Sequence, residues 1–159
     1  MNSRVPHVKV LVIPADESEA IYTRHIPKDQ LYGEMRKLVG GFIEHLNTEE
    51  PAMYSAYVNE EGRVTDPPLP PNTRFNRFLG PDAENYRPYT VITAKNDNGH
   101  WYQDITAHPD LPGGFALGTV VITGPMDPEG YDTSVKTTVV ERISTFIGQS
   151  CVHSVNAAR

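Results

Sequence analysis

Asn72, Arg74, Asn76 and Arg77 form the densest group of hydrogen-bond donors in the chain. Each guanidinium is a planar fork that fits phosphate or carboxylate oxygens two bonds at a time, and each amide adds both a donor and an acceptor. Phe75 and Phe78 are interleaved with them, and an aromatic face can stack a base. The preceding segment 66–72, Asp-Pro-Pro-Leu-Pro-Pro-Asn, is extended and stiff. These features nominate Asn72, Arg74, Asn76 and Arg77 as a site for an anionic small molecule or a peptide acid. The same groups have an internal use as well: they can cap the proline-rich loop and pair with the surplus surface carboxylates.

A second group contains His100, Trp101, Tyr102, Asp104 and His108. On a strand, His100, Tyr102 and Asp104 share one face, while Trp101, Gln103 and Ile105 share the other. The intervals among His100, Asp104 and His108 match no zinc-ligand spacing, so no metal site is expected. Trp101 and Tyr102 are better suited to anchor an interaction surface. Glu44 and His45 are adjacent, so on a strand they point to opposite faces and do not make an acid–base pair. Glu44 shares its face with Phe42 and Leu46, and a carboxylate so placed needs a partner or a sheet edge. Asn59-Glu60-Glu61-Gly62 reads as a turn, without the twelve-residue pattern of a calcium loop. The lone Cys151, near His153, reads as a bystander. The phosphate-loop, dinucleotide, zinc-protease and nucleophile-elbow motifs are missing from the sequence. No catalytic residue is nominated, and no cofactor is expected.

The elements that must position these groups follow from periodicity. Residues 7–13 (HVKVLVI) read as a strand covered on both sides. A short hairpin partner is expected near residues 20–23. Residues 27–39 read as a helix, with Pro27 in its first turn and Leu31, Met35, Leu38 and Phe42 on one face. Gly33 inside it suggests close approach by another element. Gly40-Gly41 reads as a C-terminal cap leading into a strand rather than as a ligand loop. Residues 42–46 and 53–59 read as strands joined by the loop 47–51, and residues 73–79 as one helical turn. Residues 89–95 and 100–105 form a hairpin around Asn98-Gly99. Residues 116–123 read as a buried strand and 133–147 as a second helix, with Thr133 or Ser134 as its cap; the β-branched pairs Thr137-Thr138 and Val139-Val140 leave a strand as the alternative there. The expected fold is α+β: a mixed, largely antiparallel sheet with helix 27–39 packed on it and a C-terminal helix. Residues 5–147 make one domain, and 148–159 are expected to be a flexible tail.

The 159 residues carry a net charge of −6 and a pI near 5.4. That balance argues against direct nucleic-acid binding, which needs clustered cations. The N-terminus lacks a signal-peptide pattern, and no apolar run is long enough to cross a membrane. The single cysteine suits a reducing compartment. A cytoplasmic protein is therefore expected.

Several segments occur in a recognisable order: Val8–Ile13, Leu38-Val39-Gly40-Gly41-Phe42-Ile43-Glu44, Asn59-Glu60-Glu61-Gly62, Leu69-Pro70-Pro71-Asn72 and Gly118–Gly124. In this the chain resembles a small family of domains of unknown function carried by bacteriophages and plasmids. The resemblance covers roughly 8–79 and 118–124. The segments 81–117 and 131–159 depart from it. What it implies is a setting, the host bacterial cytoplasm, and it brings no catalytic residues. The resulting expectation is a non-catalytic phage accessory protein that binds a host component, either a host protein or a nucleotide-like defence signal. A small hydrolase acting on a phosphate-containing molecule, using Glu44 and a histidine, is one alternative. An interaction module of phage replication or transcription is the other. Self-association into a homo-oligomer is left open.

Overall fold

The computed structural model describes residues 5–46, 52–62, 65, 67, 69–79, 90–106, 116–149 and 151–156. Eight strands and three helices lie in it: β1 (His7–Ile13), β2 (Tyr22–Pro27), α1 (Leu31–Val39), β3 (Ile43–Leu46), β4 (Ser55–Asn59), α2 (Thr73–Leu79), β5 (Thr90–Lys95), β6 (Trp101–Thr106), β7 (Val120–Thr123), α3 (Thr137–Ile147) and β8 (Val152–Asn156). Six strands form a mixed sheet in the order β3-β4-β7-β1-β2-β8. Every neighbouring pair is antiparallel except β2 and β8, which run parallel. β5 and β6 form a separate antiparallel ribbon. The fold is α+β, as the periodicities require.

β1 is interior, and its alternation divides the core. Val8, Val10 and Val12 face α1, joined by Ile26, Tyr57 and Val121 beneath Leu31, Met35 and Val39. Leu11 and Ile13 face the other side, where Phe75 of α2 and Val139, Val140 and Ile143 of α3 cover them. A strand buried on both faces reads as a continuous apolar run, which is what residues 7–13 show.

Four features differ from expectation for physical reasons. Pro27 closes β2, and a single 3₁₀ turn over Lys28–Gln30 precedes α1. Gly40 takes a left-handed φ of 83° and turns the chain, so Val39 completes the buried face of α1 while Phe42 stays 50% exposed. α3 begins at Thr137, because the residues before it are held in extended form along β1: Val135 donates to the Lys9 carbonyl, and Lys9 N–H donates to Ser134 Oγ. Ser134 therefore ties a strand instead of capping a helix. The C-terminal segment expected as a loose tail contains β8, paired with β2. The loop 47–51 and the segment 80–89 lie outside the described residues.

Candidate functional site

The structure places the four donors nominated from sequence at a junction inside the domain. Asn72 is fully buried; its amide nitrogen donates to the carbonyls of Ile13 (2.8 Å) and Gly118 (3.0 Å), and its oxygen accepts from Phe75 N–H, capping α2. Asn76 is fully buried as well and exchanges two hydrogen bonds with the backbone of Ala116, at 3.1 and 2.8 Å. Arg74 is 5% exposed, and its terminal nitrogens donate to the carbonyls of Pro14, Asp16 and Glu19 and to Gln149 Oε1. Backbone from Ile13 through the β1–β2 loop and at residues 116–118, together with the Gln149 side chain just after α3, thus takes up these groups. Arg77 is exposed and borders a cavity of about 80 Å³ with Arg74, Glu17 and Gln149. The demand that the two asparagines could make on a ligand is met within the chain, as buried polar groups require.

Trp101 starts β6 at 40% exposure, with Lys95 Nζ 4.8 Å from its ring centroid. Tyr102 follows it, opposite Ala94; its side chain lies outside the described residues, as does His108. Glu44 and His45 are both exposed on β3, an edge strand, and His45 packs edge-on against Tyr57 at 5.2 Å. Cys151 is half-buried, and burial pushes its thiol pKa up, which suppresses the nucleophilic thiolate.

A different region forms a groove, of about 390 Å³, between the start of α1 and the loop after β7. Its floor is apolar: Leu31 and Met35 of α1 and Ile43 of β3. Three tyrosines line it. Tyr57 rises from β4 and is buried, while Tyr32 of α1 and Tyr131 of the loop are 55% and 60% exposed. Lys28, Asp29 and Asp132 supply the charges.

The loop that carries Tyr131 and Asp132 is folded by its own sequence. Asp127 accepts at Oδ1 from the N–H groups of Glu129 and Tyr131, and its own N–H donates to the Tyr131 carbonyl. Gly130 supplies the positive φ, 87°, that closes the turn. At the loop's base Gly124 N–H donates to the Thr133 carbonyl, and a Cβ at Gly124 would lie 2.3 Å from the Ser134 carbonyl oxygen. That contact excludes any larger residue there. The loop therefore turns back over the sheet and brings Asp132 above β4 and β7. Asp132 Oδ1 accepts from Tyr57 Oη at 2.7 Å and from Thr123 Oγ1 at 3.1 Å. Burial raises the Tyr57 pKa far above the ordinary phenol range, and the hydrogen bond and charge of Asp132 add to it, so the phenol stays a donor.

Sequence reasoning passed over this groove. Tyr32 lies off the apolar stripe of α1, and Tyr131-Asp132 fall in a segment legible only as loop. The available signal was the Asp127-x-x-Gly130 turn, which presents the residues after it.

Fold and site together define a mixed-sheet α+β domain that presents a tyrosine-lined groove beside its first helix. The chain belongs to the family described as a domain of unknown function, DUF3846, whose model matches residues 8–108. One wall of the groove, from Lys28 to Tyr57, lies within that match, and Gly130, Tyr131 and Asp132 lie beyond it. No curated protein and no solved structure matches the chain. Among the described residues no helix is long and apolar enough to cross a membrane.

Proposed function

We propose that this protein is a non-catalytic accessory protein, of phage origin, that acts in the bacterial cytoplasm by binding a host protein through the groove beside α1. The observation that carries the reading is the groove itself: an apolar floor with two largely exposed tyrosines at its rim. Exposed aromatics around an apolar depression are the usual anchors of protein interfaces. The net charge of −6 favours a basic partner through long-range attraction. A protein is favoured over a nucleotide-like signal because Asn72, Asn76 and four donor bonds of Arg74 are already engaged by the chain. The resemblance to phage-borne domains supports the host-directed setting.

The test is co-purification from bacterial host lysate, read by native mass spectrometry, with wild type and Tyr131→Ala side by side. A stoichiometric protein complex that the variant loses is the expected result. A bound nucleotide with no protein partner, or a complex that survives Tyr131→Ala unchanged, overturns it.

A further inference from the structure

The charges of the groove are not balanced. Asp132 spends one carboxylate oxygen on the hydroxyls of Tyr57 and Thr123, and among the described residues no contact engages the other. Asp29 also lines the groove, and among the described residues neither carboxylate forms an ion pair. A carboxylate with a free oxygen beside an apolar floor is suited to a cation that also donates hydrogen bonds to it. The groove of about 390 Å³ is far larger than a metal ion needs, and its lining offers no imidazole or thiol. Its walls are aromatic, and the face of a tyrosine ring attracts an organic cation.

The chain itself demonstrates the fit. Lys28 Nζ sits 5.2 Å from the centroid of Tyr131, within the distance at which a ring face holds an ammonium. It does so from the exposed rim, without pairing with Asp132.

Resting on the protein-binding reading above, we infer that the groove recognises a primary alkylammonium, the end of a lysine side chain of the partner. Tyr32 and Tyr131 enclose its methylene stem and face its charge. Asp132 supplies the counter-charge, held in place by Tyr57 and Thr123. Lys28 occupies part of the same space when the groove is empty.

The probe is n-butylammonium chloride, with n-butanol and sodium chloride as matched controls. The readout is amide chemical shifts of the ¹⁵N-labelled protein. Saturable shifts at Gly130, Tyr131 and Asp132 with n-butylammonium, absent with both controls, are expected. Asp132→Asn keeps an oxygen for Tyr57 and Thr123 but removes the charge, and is expected to weaken binding at least tenfold. Lys28→Gln, which clears the ring face, is expected to keep or strengthen it. Equal shifts with n-butanol, or unchanged affinity in Asp132→Asn, overturn the inference. The two readings fail separately: a host complex lost in Tyr131→Ala but intact in Asp132→Asn removes the ammonium and keeps the interface. Ammonium binding with no host complex does the reverse.

Discussion

Asn76 shows how a side chain suited to ligand recognition is committed to the fold. Its amide holds both polar groups of the Ala116 backbone, 40 residues away in sequence, in a fully buried position. Removing it orphans the buried Ala116 N–H, at a cost of about 1–3 kcal/mol, and leaves the Ala116 carbonyl only the bond it accepts from Asn72 N–H. Asn76→Ala is therefore expected to lose about 2 kcal/mol or more in urea denaturation; a loss below about 0.5 kcal/mol would contradict the junction described above. Tyr57 offers a second test at this scale. Its folded pKa is raised, by burial first and by Asp132 next. A raised folded pKa means that its contribution to stability is full below the unfolded value near 10 and is lost as pH rises through it toward the folded value. Wild-type stability should consequently fall more steeply than that of Tyr57→Phe between about pH 9.5 and 11. Parallel profiles would show that the phenol is not held as a buried donor.

At the scale of elements, α1 and its cap separate two roles of glycine. Gly33 is exposed in the helix, and among the described residues a Cβ there would meet nothing within 4 Å. Close approach by another element is thus not its reason, and Gly33→Ala is expected to stabilise by about 0.5–1 kcal/mol through helix propensity alone. Gly41 is the opposite case. A Cβ there would lie 2.9 Å from Asn59 Nδ2, which donates to the Val39 carbonyl and fixes the helix end against β4. Gly41→Ala must displace that amide and is expected to lower the melting temperature, whereas Gly33→Ala raises it. Thermal unfolding of the pair checks both signs, and a common sign would refute the cap geometry. These elements were legible from sequence because local rules specified them: the double-sided apolar run of β1, the helical spacing of Leu31 and Met35, the Gly-Gly corner and the turn at Asn98-Gly99. The start of α3 and the existence of β8 were not legible. Both depend on hydrogen bonds to distant strands, Val135 to Lys9 and β8 to β2, which leave no local pattern.

Across the whole molecule, the sheet divides the labour. On one side α2 and α3 close a core around Phe75, and the donor-rich segment beside it ties together the β1–β2 loop, residues 116–118 and Gln149 after α3. On the other side α1 leaves Tyr32 and the β7–α3 loop leaves Tyr131 facing a shared groove. The candidate site was illegible in sequence for this reason: its two walls are about a hundred residues apart along the chain, and each looks ordinary alone. Only the return of the loop over β4, forced by Gly124 and by the bond between Tyr57 and Asp132, brings them together. The central claim is that this groove is where the protein meets its partner. The most direct measurement is the dissociation constant of the co-purified host protein for wild type, Tyr131→Ala and Trp101→Ala. The account predicts at least about a tenfold weakening in Tyr131→Ala, the size expected of a buried interface tyrosine, and little change in Trp101→Ala. Full affinity in Tyr131→Ala with loss in Trp101→Ala would move the interface to the β5–β6 ribbon and contradict it.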